Sequence, residues 1–376
     1  MLAMASSPGT TSSSVSSPAM RKLVRSGYGS PEDVLSLVTD AGVPSIEGHA
    51  KAKEVGLVKV KVVATALSPA DYRFVEGWVR LVIQERFPAG LGLEFSGVVT
   101  ESSSAKYDIG DEVFGELDAE DSGSFADYCV APETNIASKP NQLTHTDASA
   151  LPVAAVALGA VKPYASKVEN GRVLVLGGSA ATGAYICQLC RNVFKAKHVA
   201  ATSSNVDFCL RHGCDRVFDY RSENWWEDTK KTTNAEDRPD YAVVFDCVGG
   251  ESWKRAREHL PPSSTFVTFV PLPDGPVTLS NALGTVVSSL GRGLASTFGA
   301  QCAWTMVMAE PNPDLLDEVA TLVLDGKLKP VIDSSYDFTL PNVIDMLKRQ
   351  KAKKVKGRQI CTIHTEAEAQ EGITPR

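Results

Sequence analysis

The sequence predicts an α/β chain in which a doubly wound parallel sheet is joined to a second, mainly β unit. Three observations predict it. Residues 173–183, VLVLGGSAATG, read as a buried strand, a small-residue turn and the start of a helix. Further apolar strand-like runs follow at 198–201, 216–220, 241–246 and 265–270, mostly separated by helical segments, as alternating βα units require. Before them, residues from about 22 to 140 consist of short strands broken by Gly, Pro and Asp, the pattern of a compact β domain.

The turn carries the most chemistry. Gly177 suits its tight bend, and Gly183 lets the following helix, AYICQLCRNVF, pack close to the strand. The helix start then offers backbone N–H groups and a positive dipole end to a pyrophosphate. Ala180 stands where a middle glycine is usual, and such turns also occur in α/β proteins that bind no nucleotide. The second strand ends in Thr202, Ser203, Ser204 and Asn205, and the first acid after it is Asp207. An acid there would bind the ribose 2′-hydroxyl of NADH, whereas hydroxyls and an amide suit a 2′-phosphate, so NADPH is the expected cofactor. The alternative is an ordinary hydroxyl-rich loop.

Composition narrows the remaining classes. At 376 residues there is room for two domains, and 43% hydrophobic with 22% charged residues is ordinary for a globular chain. A net charge of -7 argues against nucleic acid as a partner. No apolar run is long enough to span a membrane. The eight cysteines are scattered in apolar surroundings, which suggests buried thiols rather than a disulfide framework. The pair Cys187 and Cys190 falls inside the helix after the turn without a second pair nearby, so core packing is expected rather than metal binding.

Taken in order, residues 1–20 are Ser/Thr-rich and uncharged, and disorder is expected. They are poor in acids but lack the arginines of a transit peptide, which leaves a cytoplasmic or mitochondrial location open. The mainly β domain is expected over 21–147, the nucleotide-binding domain over 148–303, a return to the first domain over 304–364, and a flexible tail over 365–376. Residues 57–63, LVKVKVV, alternate as a half-exposed strand does.

The order of β domain, Rossmann domain and short return resembles the medium-chain dehydrogenase/reductase superfamily. SPADYRFVEG, LGLEFSGVV, GDEVFG, GSFADYCV, LTHTDASALP, VFDYR and VFDCVGG look like its zinc-independent quinone oxidoreductase branch. LTHTDASALP and LVLDGKLKPVID are similar to mitochondrial reticulon-interacting oxidoreductases, and GGSAAT resembles fungal trans-acting enoyl reductases. The resemblance implies a GroES-like first domain and hydride transfer from NADPH to a quinone or an activated C=C. It implies that Ser68 and Asp71 line the nicotinamide end, and that Gly178, Ser179, Ala180, Ala181, Thr182 and Gly183 hold the pyrophosphate. Thr202, Ser203, Ser204, Asn205 and Tyr220 would surround the 2′-phosphate and adenosine, with Val248, Gly249, Phe269, Val270 and Gly357 completing the bed. Asp71 could equally be a hydrogen-bonded turn acid, Tyr220 a strand cap, and Tyr72 a proton donor. The zinc-ligand positions of the alcohol dehydrogenase branch hold Ser68 and Leu93, the histidines are isolated in sequence, and no metal is expected. Departures at Ser68, Asn205 and Ala157, where the superfamily often has Asn, Lys and Thr, remove polar contacts. They motivate a second reading, a cofactor-binding scaffold with little turnover. A trans-acting enoyl reductase is a third. The expected partners are a small-molecule substrate and, given the superfamily's habit of pairing Rossmann sheets, a second copy of the chain. Substrate walls are expected from residues 78–86 and 274–296.

Overall fold

A computed structural model describes residues 19–81, 83, 85–227, 240–270, 275–280, 302–308 and 310–371. Its first part contains β1 (Ala19–Arg25), β2 (Leu35–Gly42), β3 (Leu57–Leu67), α1 (Pro69–Val75), β4 (Glu94–Ser102), β5 (Glu112–Glu116), β6 (Tyr128–Pro132), β7 (Ile136–Ser138) and α2 (His145–Ser149). Helix α3 (Pro152–Val161) leads into β8 (Arg172–Leu176), α4 (Ala181–Gln188), β9 (His198–Thr202), α5 (Val206–Arg211), β10 (Arg216–Phe218), β11 (Val243–Asp246), α6 (Ser252–His259), β12 (Thr265–Thr268) and β13 (Ala303–Met306). The chain closes with α7 (Pro313–Leu324), β14 (Ile332–Asp337), α8 (Leu340–Lys351), β15 (Arg358–Thr362) and α9 (Glu366–Gln370).

Strands β8 to β13 form one parallel sheet in the order β10-β9-β8-β11-β12-β13. The order reverses between β8 and β11, and the crevice outside their carboxyl ends is where such sheets bind ligands. The apolar run Val173–Leu176 is fully covered because helices flank both faces. The second main sheet runs β14-β15-β3-β4-β5-β7, with β6 also on β3. The alternation expected for residues 57–63 holds at Lys59 and Lys61, but the strand continues to Leu67 and is buried throughout from Val62. Its last residues are covered by other elements, Ala64 and Ala66 packing with Ala150 and Val63 packing with Ala369 of α9.

Three expected boundaries move. Trp304 was expected in the return segment, yet Ala303–Met306 is the sixth strand of the parallel sheet, and α7 packs on both α3 and β7. Ala19 and Met20, expected to be disordered, open β1, which pairs with β2, while residues 1–18 lie outside the described part. The expected tail begins with a helix, α9, which Thr365 and Glu368 cap reciprocally and whose Ala369 is fully buried. Most of the expected substrate wall 274–296 lies outside the described residues.

The two halves share a core. Phe114 and Ala137 of the β domain pack with α3, α4 and the parallel sheet in one apolar cluster. Helix α4 also reaches the return segment: Tyr185 Oη donates to Ala150 O (3.0 Å) and accepts from Val331 N (3.0 Å). Gln188 exchanges two hydrogen bonds with the backbone of Lys329 (2.9 and 3.2 Å). Cys187 and Cys190 are fully buried, and Cys187 Sγ sits 3.3 Å from Cys214 Sγ in the same core. The eight cysteines are free thiols, all buried except the half-buried Cys247.

Gly183 is the tightest contact between α4 and the turn before it. A Cβ there would lie 2.3 Å from Gly177 O. Gly183→Ala should therefore destabilise the protein by roughly 1–3 kcal/mol through overpacking, read as a lower urea midpoint with an unchanged slope. An unaltered midpoint would mean that the helix can retreat from the turn freely.

Candidate functional site

The switch-point crevice is assembled from four chain segments. Gly177 bends at φ +84, a conformation that suits glycine, and a side chain there would run into Val248. Its N–H, with that of Gly178, is held by Thr202 at the end of β9 (3.0–3.2 Å). Gly178 turns inward, where a Cβ would lie 2.6 Å from Ala201 Cβ and 3.2 Å from Cys209 Sγ. Its glycine is thus required by packing beneath the turn rather than by a ligand's approach. Ala180 starts α4 and, being alanine, makes no side-chain cap to the N–H groups of the helix's positive end at Ala181, Thr182 and Gly183.

The hydroxyl cluster divides in two. Thr202 Oγ1 accepts from Gly177 N, and Ser203 Oγ donates to Ser179 Oγ (2.8 Å) while accepting from Asn205 N (2.9 Å). These two hydroxyls, both buried, are engaged in holding the turn. Ser204 and Asn205 stand farther out beside Tyr220, which is 64% exposed with its Oη 3.5 Å from Ser204 Oγ. Arg221 completes this group: it pairs with Asp219 and its guanidinium lies 3.4 Å from Ser204 O. Arg221 was missed as a site residue, although it follows Tyr220 within the VFDYR motif.

Across the crevice, Asp246 shapes the loop after β11. One of its carboxylate oxygens accepts from Val248 N (3.1 Å) and Gly249 N (3.0 Å), and the other accepts from Thr268 Oγ1 (2.9 Å). Thr268 Oγ1 in turn accepts from Val270 N (3.1 Å), so the Val248–Gly249 and Phe269–Val270 loops are tied together. Gly249 takes φ +74 against Val270, where a Cβ would come within 2.7 Å. Gly357 arrives from the return segment. Its N–H donates to Ser179 O (3.1 Å), and it forms a parallel bridge with Ala180.

The expected catalytic pair is structural in form. Ser68 caps α1, its hydroxyl accepting from Ala70 N (3.1 Å). Asp71 is fully buried, with Oδ2 accepting from Ser68 N (2.6 Å) and Oδ1 from Gly92 N (3.1 Å). Asp71 is thus the hydrogen-bonded turn acid, which positions the Gly92 loop and has no exposed oxygen for a substrate. Tyr72 lies in the β-domain core against Trp78, its hydroxyl accepting from Arg73 Nε (3.3 Å). Ala157 is likewise fully buried in the shared core.

A cluster of acids, Glu94 and Asp71 buried and Glu116 half-buried, sits at the same end of the β sheet. Glu94 forms an ion pair with Arg358, both almost fully buried, and faces Glu116 directly across the β4–β5 ladder. Burial pushes Glu94 up to about 7 against the pull of Arg358. Burial, reinforced by the Glu94 charge, pushes Glu116 up to about 8, and burial raises Asp71 as well. Two carboxylates opposite each other in a ladder cannot both ionise cheaply. The grouping was invisible in sequence because it depends on the register that sets Glu94 opposite Glu116 and on a strand from far along the chain.

Comparisons with known proteins agree with this architecture. Residues 54–141 match the alcohol dehydrogenase GroES-like domain and residues 212–357 match a family described as zinc-binding dehydrogenase. The 2-methylene-furan-3-one reductase of Solanum lycopersicum is 29% identical over 363 residues, covering 93% of this chain and 81% of that protein. The chloroplastic NADPH-dependent alkenal/one oxidoreductase of Arabidopsis thaliana is 28% identical, covering 91% and 79%. The mitochondrial NAD(P)H oxidoreductase RTN4IP1 of Homo sapiens is 29% identical, covering 79% and 80%. The quinone oxidoreductase from Coxiella burnetii superposes with a TM-score of 0.73 at 22% identity, over 92% of this chain and all of that one, and so shares the fold. Among the described residues no helix is long and apolar enough to cross a membrane.

The raised Glu116 has a measurable consequence. Its folded pKa of about 8 lies above the ordinary 4.5, so its proton stabilises the folded state fully below about 4.5, and that contribution is lost as pH rises towards 8. Relative to Glu116→Gln, the wild type should lose roughly 1–3 kcal/mol between about pH 5 and about pH 8, followed by thermal or urea unfolding. A difference that stays constant over that range would show that Glu116 ionises normally.

Proposed function

We infer that the chain, a member of the medium-chain dehydrogenase/reductase superfamily, is an oxidoreductase of the quinone and alkenal reductase type. From that premise we propose that it binds NADPH across the crevice between the Gly177–Gly183 turn and the Val248–Gly249 loop, and uses it to reduce a quinone or an activated C=C bond. The observation that carries the reading is the uncapped start of α4 at the switch point, beside a β9 end that offers Ser204, Asn205, Tyr220 and Arg221 and no acid before Asp207.

The residues fit the cofactor. The N–H groups of Ala181, Thr182 and Gly183 would receive the pyrophosphate, with the helix dipole favouring its charge. Ser204, Asn205 and the Arg221 guanidinium would receive the 2′-phosphate, and Tyr220 would cover the adenosine. The tied loops at Val248–Gly249 and Phe269–Val270 would seat the nicotinamide end. Bound NADPH supplies a hydride, and the protein supplies orientation and a cleft shielded from water. We read the reaction as zinc-independent. Leu93 has no donor atom and the Ser68 hydroxyl is used as a helix cap, so a zinc-polarised carbonyl has no support from these two positions. An acceptor that already delocalises the incoming charge is then the natural substrate class. Names among the relatives, a furanone reductase and an alkenal/one oxidoreductase, point the same way.

A cofactor-binding scaffold with little turnover is the second reading. It is favoured by Thr202, Ser203 and Asp71 being engaged within the protein. Nucleotide titration followed by intrinsic fluorescence tests both. NADPH should bind at least about tenfold more tightly than NADH, and Arg221→Ala should reduce that preference by about tenfold, or roughly 1.4 kcal/mol. Loss of NADPH absorbance with a panel of quinones and enals would then separate enzyme from scaffold. Failure of either nucleotide to bind at millimolar concentration would overturn the cofactor reading altogether.

A further inference from the structure

A second polar centre lies away from the crevice, where β5, α2 and α9 meet. His145, on α2, is fully buried. Its Nε2 has no hydrogen-bond partner. That nitrogen faces Glu112 Oε1 at 3.7 Å and Glu366 Oε2 at 3.5 Å, both beyond hydrogen-bond distance. The three donor atoms lie within 4.8 Å of one another. The sequence hides this arrangement because the residues come from a strand, a helix start and the C-terminal helix.

The tautomer follows from the neighbours. Ser96 Oγ donates its one hydrogen to Val113 O (2.9 Å), so it accepts from His145 Nδ1 (2.8 Å). A neutral ring therefore carries its proton on Nδ1 and turns the Nε2 lone pair towards two carboxylates. Three lone-pair donors converging, with no hydrogen shared between them, are the donor set of a cation. Each donor is also held from behind: Glu366 Oε1 accepts from His145 N (3.1 Å), and Glu112 Oε2 pairs with Lys139 Nζ (2.8 Å). Gln370 Nε2 donates to Glu112 Oε1 (3.2 Å) from α9. Such outer contacts are what orient metal ligands. With neutral His145, the two glutamates outweigh Lys139 by one negative charge.

We propose that Glu112, His145 and Glu366 form a binding site for a divalent cation of the zinc class, distinct from the reductase crevice. Zinc bonds of about 2.0–2.2 Å at tetrahedral angles place donor atoms roughly 3.3–3.6 Å apart, close to the separations from His145. The two carboxylates, with Lys139 and Thr144, line a cleft of about 440 Å³, and His145 lies buried beside it. The fourth position falls to water from that cleft. The ion fastens α9 to the sheet edge. Its role is structural, independent of hydride transfer.

The test is titration of the metal-free full chain with Zn²⁺ by calorimetry, with Co²⁺ as a spectroscopic probe of tetrahedral coordination. Glu366 is 59% exposed, so Glu366→Gln should fold normally, and Glu112→Gln provides a second ligand variant. One Zn²⁺ should bind per chain, each variant should weaken it by about tenfold or more, and Zn²⁺ should protect residues 366–370 from hydrogen exchange in the wild type only. No saturable Zn²⁺ binding by the wild type, or binding unchanged in Glu366→Gln, would overturn the site. His145 would then be an imidazolium paired with two glutamates.

Discussion

The buried ion pair between Glu94 and Arg358 is the constraint on which the rest of the structure depends. Arg358 follows Gly357, whose N–H is committed to Ser179 in the nucleotide turn, and Glu94 heads a central strand of the β domain. Two adjacent residues, Gly357 through its backbone and Arg358 through its guanidinium, thus tie the turn of one domain to the sheet of the other. A charge buried this deeply is tolerated only while its partner is present, and losing either side leaves an uncompensated ion worth roughly 3–5 kcal/mol. The neighbouring Glu116, Asp71 and capped α1 are arranged around that charge. The proton on Glu116 is best understood as the adjustment that lets two carboxylates share one arginine.

Around this anchor, the crevice is built largely by backbone. Glycines at 177, 183, 249 and 357 each sit where a Cβ would meet an atom of another segment. Tyr185 and Gln188 then fix α4 to the return segment. The turn, the loop after β11 and the approach to β15 therefore behave as one unit. A nucleotide seated there would touch both domains through a surface already ordered by hydrogen bonds, which reduces the ordering cost of binding.

Much of this was legible in the sequence because it depends on local pattern. The run VLVLGG, the spacing to Gly183 and the hydroxyl-rich end of β9 encode a strand, a bend and a helix within 33 consecutive residues. What could not be read depends on register or on distance. Trp304 was placed in the return segment because a long stretch separates β12 from β13, so the alternation of strand and helix is interrupted. A list of hydroxyls does not say which are spent inside the fold, and Thr202 and Ser203 proved to be spent while Ser204 was not. Glu94, Glu116 and Arg358 gained their meaning only when β15 was placed beside β3.

That placement has a consequence for how the chain is made. Residues 64–67 of β3 pair with residues 359–362 of β15, about 290 positions later. At roughly 5–20 residues per second, a ribosome needs on the order of 15–60 s to supply that partner. Throughout that interval the nascent β domain presents an apolar strand segment, Ala64–Leu67, with an unfilled edge. Completion of the first domain therefore waits for a segment about 290 positions downstream, and the window before it is when that strand is most exposed to mispairing.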